Sequence, residues 1–424
     1  MGIVQRDRFI ALHGEHETHA KDAQRALSKP ASAGRLSRGL VLLFAMACGL
    51  SVGNVYCSQP LLDAIGRDFG ISQASVGLVV TVTQAGYALG LFLIVPLGDL
   101  LDRRRLIVSQ LLLSVLALLA VGLAPNIAVM LCGVFVVGLL AVVIQVLVAF
   151  AATLAGPKER GRIVGRVTSG VVIGILLARA VAGALTDLGG WRLVYLTSAA
   201  LLLAMAAALW RALPPGANQQ APPSYARLLA SVMTLWTGEP LLRIRAGLAL
   251  LIFAAFSVLW TSLVLPLSSP PVSLPHSVIG LFGVVGVAGA SAASLAGRWA
   301  DRGLQQRTTG AALMLLLASW LPIGHLHRSL ISLVIGVVML DFAVQAVHVT
   351  NQSMLFARFP EARSRLVAAY MMFYSIGSGA GAMASTWAYA RAGWMGVSVL
   401  GAVISAIALI FWAVTMKSAV SRTC

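Results

Sequence analysis

Apolar residues in this chain come in long blocks, not in the alternating pattern of strands or the short 3.6-residue stripes of soluble helices. Twelve blocks approach spanning length, near 39–64, 75–97, 106–124, 127–154, 163–186, 191–212, 245–266, 277–297, 308–325, 329–352, 366–390 and 394–416. A helix of about 20 apolar residues crosses the hydrocarbon core of a bilayer. Within that core every backbone amide must be paired inside the protein, so blocks of this length predict helices. They are numbered here as spans 1–12. The expected fold is an all-α membrane protein with twelve transmembrane helices in two six-helix halves, 39–212 and 245–416. The remaining segments read as an N-terminal tail (1–38), a linker (213–244) and a C-terminal tail (417–424). Pro214, Pro215, Pro222, Pro223 and Pro240 mark the linker as a mobile connection.

Composition agrees. Of 424 residues, 59% are hydrophobic and 11% charged, with a mean hydropathy of +0.89. Soluble domains carry roughly a quarter charged residues, so soluble enzymes, disordered scaffolds and disulfide-stapled modules are excluded. Cys48, Cys57, Cys132 and Cys424 show neither disulfide nor zinc spacing. The first 38 residues are polar and basic, and no cleavable signal peptide is expected.

The net charge of +17 takes its meaning from its placement. With the N-terminus on the cytoplasmic side, 26 of 31 Lys and Arg fall in cytoplasmic tails and loops. Only Arg67, Arg192, Arg328 and Arg391 fall on the other side, and Arg179 lies inside a span. This asymmetry predicts both termini in the cytoplasm. It assigns the basic excess to topology and anionic lipid, so no nucleic-acid partner is expected.

An internal repeat supports the two halves. A shift of 203 residues lays Pro157 on Pro360, Arg160 on Arg363, Arg162 on Arg365, Gly174 on Gly377, Gly190 on Gly393 and Trp191 on Trp394. A second correspondence sets Gly98, Asp102 and Arg103 after span 2 against Gly297, Asp301 and Arg302 after span 8. Parallel repeats about an axis normal to the membrane are a transporter architecture.

At these residues the chain resembles a known family. GDLLDRRR at 98–105 resembles the signature loop of the major facilitator superfamily, with GRWADR at 297–302 as its second copy. Asn54-Val-Tyr-Cys-Ser-Gln59-Pro60 is similar to a stretch of a bacterial branch described as drug or sugar efflux permeases. The resemblance covers about 40–416. It departs from the family pattern at Arg104-Arg105, where a Gly is usual. Span 4 lacks an Arg, and span 5 has Gly170-x-x-x-Gly174 without the antiporter Pro.

Several residues are candidates for mechanism. A carboxylate after span 2 could cap a helix N-terminus in the other half. Gly98, Asp102, Arg103, Arg104, Gly297, Asp301 and Arg302 are therefore expected to form a cytoplasmic latch; the competing reading is a pair of plain basic loops. Among fourteen Asp and Glu, Asp341 alone sits deep in a span, where an unpaired charge is costly. It is the expected proton carrier. Gln345, His348 and Gln352 follow on the same helical face, with His348 as a possible relay and Asn351 beside the stripe. The resemblance implies that spans 1, 4, 7 and 10 line a central cavity, which this polar face would meet.

Arg179 is read as the only deep cation, well above Asp341 by residue count, suited to an anionic substrate group or to a helix interface. Asn54, Gln59, Gln84, Tyr87, Gln145, Trp260 and Thr261 complete the candidate substrate cavity, with interhelical glue as the alternative. Trp191, Trp210, Trp394 and Trp412 read as interfacial anchors. His13, His16 and His19 lie in a short polar tail that does not preorganise a metal site, and neither metal nor cofactor is expected.

The expected function is secondary transport, not enzymology. A small amphipathic compound, a drug or sugar-like metabolite, would leave by proton-coupled alternating access from a monomer in the bacterial inner membrane. Uptake by proton symport or facilitated diffusion is the alternative within the class. An intramembrane enzyme or a non-transporting sensor is the alternative outside it.

Overall fold

The computed structural model describes residues 37–156, 159–214, 224–286, 292, 295–299, 302–358 and 363–420. Among them every regular element is helical, and each of the twelve predicted blocks carries helix. Span 1 is Arg38–Tyr56, continued after a 3-10 turn by Leu62–Phe69. Spans 2 and 3 are Leu78–Leu93 and Arg103–Gly122. Span 4 divides into Ile127–Leu140 and Val143–Leu154. In the second half, span 7 is Pro240–Ser262, span 8 opens with His276–Val285, span 9 is Gln305–Gly324 and span 10 is Leu330–Arg358.

Spans 5 and 6 form one run, Arg160–Ala212, broken at Gly189–Gly190; spans 11 and 12 form Arg363–Val420, broken at Ala392–Gly393. Gly190 and Gly393 have φ of 79° and 59°, in the left-handed region that a side chain disfavours. These are the glycines that the 203-residue shift superposes, so the repeat extends to backbone geometry.

Helical periodicity separates lipid from interior. On span 5, Ile173, Leu177 and Val181 are about half exposed, at intervals of four. On span 12, Val399, Val403, Ile407, Ile410 and Val414 form a similar stripe. Apolar residues facing outward at helical spacing suit a hydrocarbon solvent.

The opposite faces approach closely through glycine. A Cβ at Gly170 or Gly174 would collide with the backbone of Ala45 or Gly49 on span 1. Gly377, the counterpart of Gly174, and Gly381 one turn on meet Leu250 and Ala254 on span 7 in the same way.

Three expectations change. Trp191 and Trp394 are not interfacial anchors; they are 4% and 2% exposed. Their indoles donate inward, to Asp68 Oδ2 at 3.1 Å and to the Ile323 carbonyl at 2.8 Å, because the tight turn before each ring folds it against its own half. The linker is not wholly irregular, since Tyr225–Gly238 is a helix. The Tyr225 hydroxyl of that helix donates to Leu93 O at 2.8 Å, and Trp236 stacks on Phe373 at 4.3 Å. Finally, span 7 starts at Pro240, five residues before its predicted boundary, which moves Arg245 from the helix end to its second turn.

Candidate functional site: a buried Arg–Trp–Asp box between the halves

Close packing of span 5 on span 1 carries Arg179 to the face where the halves meet. Arg179 is 2% exposed, and its Nε donates to Gln59 Oε1 at 2.8 Å. Its guanidinium carbon lies 3.9 Å from the Trp260 ring centre, with Tyr56 and Phe256 at 5.3 and 5.5 Å. Cation–π attraction is strongest where water is excluded, as it is here. Nη2 has no hydrogen-bond partner. On the other side of the indole, Trp260 Nε1 donates to Asp341 Oδ1 at 3.0 Å, and Asp341 is 5% exposed.

Span 8 makes room for both charges. A Cβ at Gly283 would lie 2.9 Å from Arg179 Cβ, and one at Gly286 would lie 2.7 Å from Asp341 Oδ2. Spans 1, 5, 7, 8 and 10 thus converge on one buried box.

This arrangement corrects the depth assigned to Arg179. Span 10 runs on to Arg358, six residues past its predicted end. Counted from the basic-loop ends Arg160 and Arg358, Arg179 lies about 28 Å and Asp341 about 26 Å along their helices at 1.5 Å per residue. They share a level, and Trp260 touches both.

His348 belongs elsewhere. Its Nδ1 lies 3.0 Å from the Tyr370 hydroxyl, and Phe253 meets its ring edge-on at 5.2 Å. Asn351 Nδ2 reaches the same hydroxyl at 3.4 Å, and Arg245 Nη1 donates to Asn351 Oδ1 at 3.3 Å. Spans 7, 10 and 11 are thereby tied together, and the described residues show no hydrogen bond from His348 to Asp341. Arg245, 3% exposed, is a second buried cation that the sequence reading missed. The signal was available in Pro240, a favourable first helical residue that starts the span earlier.

The other candidates scatter. Gln59 and Trp260 join the box. The Tyr87 hydroxyl faces Gln145. Gln84 is 1% exposed on span 2, with both amide atoms lacking hydrogen-bond partners. Asn54 is 8% exposed, and its carbonyl accepts from Cys57 Sγ at 3.6 Å. Thr261 pairs with Ser257 on its own helix at 3.2 Å. Gln345 and Gln352 are half-buried.

Asp102 Oδ1 accepts from Arg105 N at 2.8 Å and caps span 3, the helix it precedes. Arg103 reaches Gly98 O and Thr153 Oγ1, each at 3.1 Å, and Arg104 lies on Trp210 of span 6. A Cβ at Gly297 would meet nothing within 4 Å, and Arg302 N donates to Trp299 O at 3.2 Å. Asp301, with His13, His16 and His19, lies outside the described residues.

A cross-half carboxylate cap exists at the opposite end. Asp187, closing span 5, accepts from His276 N at 3.0 Å and Ser277 N at 2.8 Å, at the first turn of span 8. His276 Nε2 also meets Asp63 of span 1 at 3.0 Å, its Nδ1 meets Asp187 at 3.3 Å, and Arg67 pairs with Asp63 at 2.9 Å. His276 stands one residue ahead of the apolar block 277–297. The Asp63 hydrogen bond, then the neighbouring carboxylate charges, hold its imidazolium above the usual histidine range against partial burial. On the other seam Thr386 Oγ1 donates to Ala74 O at 3.0 Å and Thr81 Oγ1 to Gly379 O at 2.8 Å.

The sequence model of the Major Facilitator Superfamily matches residues 42–302 and 246–422. The chain belongs to this superfamily. It is 47% identical over 377 residues to the "Putative uncharacterized transporter YgaY" of Escherichia coli (strain K12), covering 89% of this chain and 95% of that one. A shorter match, 30% identical over 160 residues, is to the "Multidrug resistance protein Stp" of Mycobacterium tuberculosis (strain CDC 1551 / Oshkosh), covering 36% of this chain and 30% of that one. Among solved structures, a bacterial homolog of the human lysosomal transporter Spinster, inward-facing and occupied, superposes with a TM-score of 0.74. It is 17% identical and covers 89% of this chain and 96% of that one, which shows a shared fold. The chain is therefore a multi-pass membrane protein of a transporter superfamily whose members handle small molecules.

Proposed function

We propose that this superfamily member is a proton-coupled secondary transporter that exports a small amphipathic compound by alternating access. One observation carries the reading: Asp341 is buried where spans of both halves meet, hydrogen-bonded to Trp260 and beside the Arg179 charge. Such a carboxylate is sensitive to rearrangement of either half, because its neighbours come from both. Halves 39–212 and 245–416 rock about the box, joined by 213–244, and the protein works as a monomer among lipid in the bacterial inner membrane. The Asp63–His276–Asp187 clasp closes the end opposite the basic loops. With the termini in the cytoplasm, this arrangement is an inward-facing state. Export, in place of the uptake alternative, is supported by the partial match to a multidrug resistance protein.

The test uses everted vesicles with an acidified lumen and a pH-sensitive dye. A panel of cationic drugs, sugars, aromatic acids and amino acids is added to wild type and Asp341→Asn. A compound that collapses the gradient only in wild type supports proton exchange through Asp341. An equal response in both overturns that role.

A further inference from the structure

The Arg179–Trp260–Asp341 box carries more than a proton site, because each of its two charges keeps a polar atom without a hydrogen-bond partner among the described residues. Arg179 uses Nε on Gln59 and its π-face on Trp260, and Nη2 is left without a partner. Asp341 uses Oδ1 on Trp260, while Oδ2 carries no hydrogen bond among the described residues and stands beside the bare Cα of Gly286. An unpaired guanidinium N–H, 2% exposed, is costly unless the state with a ligand satisfies it.

Charge balance decides the ligand class. With Asp341 ionised, the box holds one cation and one anion and is neutral overall. A lone organic anion on Arg179 would leave an excess negative charge in a water-excluded space, and a lone cation on Asp341 an excess positive one. Low-dielectric surroundings penalise either. A zwitterion adds one charge of each sign and keeps the box neutral. Its carboxylate accepts from Arg179 Nη2 in a charge-assisted hydrogen bond, and its ammonium donates to Asp341 Oδ2. Tyr56 and Phe256, which flank Arg179, offer apolar surface to the body of the ligand.

We propose that this box binds a small zwitterion, an amino acid or amino-acid-like compound with an apolar side group, as the transported substrate. The inference rests on the reading of the box as the transport site. It also explains exchange. The ammonium needs an ionised Asp341 and occupies the oxygen that a proton would take, so substrate and proton exclude one another there.

The test compares four probes on the purified full-length protein by calorimetric titration. They are phenylalanine, phenethylamine with the ammonium alone, 3-phenylpropionate with the carboxylate alone, and 2-phenylethanol with neither. Leucine and methionine extend the panel of zwitterions. Phenylalanine is expected to bind at least about tenfold more tightly than each truncated analogue, a difference of about 1.4 kcal/mol. At a pH where the empty box holds Asp341 protonated, its binding releases a proton in weakly buffered solution.

Arg179→Gln brings phenylalanine down to the level of phenethylamine, whereas Arg179→Lys, which keeps the charge, retains part of the preference. Asp341→Asn abolishes proton release. Thermal unfolding of each variant separates lost binding from lost fold, and the analogue series on wild type alone tests the class if a variant does not fold. Phenethylamine or 3-phenylpropionate binding as tightly as phenylalanine overturns the proposal, as does absence of binding by all three amino acids. If the amino acids fail while another compound still drives Asp341-dependent proton flux in vesicles, the substrate class falls and the transport reading stands. If phenylalanine binds with its Arg179-dependent preference but flux ignores Asp341, the transport reading falls and the binding site stands.

Discussion

Replacing Asp187 by Ala should shift the two halves apart at the end opposite the basic loops. In the closed form its carboxylate accepts from His276 N at 3.0 Å and Ser277 N at 2.8 Å and meets the His276 ring at 3.3 Å. Truncation leaves two backbone donors at the start of span 8 without their cap. Loss of an N-terminal cap costs about 1 kcal/mol and up to about 2. The ring contact adds no more than a fraction of this, because the Asp187 side chain is 30% exposed and water screens the pair. The closed form should therefore lose about 1–2 kcal/mol relative to the open one, roughly a 5- to 30-fold change in their ratio.

Spin labels on cysteines replacing Leu123 and Leu321, 68% and 71% exposed near that end in opposite halves, would report the separation. The labelled background replaces Cys132 and Cys424 by Ser. Double electron–electron resonance should show a short-distance population in the parent and a longer one in Asp187→Ala. A distribution unchanged within about twofold, in a variant that unfolds at the parent temperature, would refute the idea that this carboxylate holds the halves together.

Other outcomes follow from the same geometry. Gly183→Ala places a methyl against the His276 carbonyl and should open the same end, by about 1–3 kcal/mol. Gly165→Ala meets nothing within 4 Å and should leave the label distances alone. Because the clasp raises His276, its imidazolium contribution to the closed form is fully present below the ordinary histidine value and is lost as pH rises through the raised one. The short-distance population should therefore fall as pH rises from below the ordinary histidine value through the raised one, and a flat profile would remove His276 from the clasp. Tyr370→Phe removes the hydroxyl shared by His348 and Asn351 and should lower stability by about 1 kcal/mol, read as unfolding temperature in detergent. It should leave proton flux through Asp341 intact, since the two networks are separate.

The fold was legible because a bilayer imposes a one-dimensional rule. Length and apolarity of a block suffice to place a helix, and the asymmetry of Lys and Arg suffices to orient it in expectation. The repeat was legible for a similarly local reason, since a turn that needs a left-handed residue keeps Gly190 and Gly393 in register. Asp341 stood out because a lone acid in an apolar block is anomalous at the level of sequence.

Pairing obeyed no such rule. Whether Arg179 meets Asp341 depends on where span 10 ends, and a few residues at 1.5 Å each moved the two charges from different depths to one level. That Trp260 touches both, that span 8 clears the space with Gly283 and Gly286, and that His348 turns to Tyr370 are outcomes of helix packing. They join residues 22 to 104 positions apart through contacts that leave no periodic trace in the chain. A carboxylate cap across the halves was foreseen in kind, and the one at Asp187 was not read from the sequence. A helix N-terminus favours a carboxylate without specifying which one, and only the tertiary structure brought Asp187 to the start of span 8.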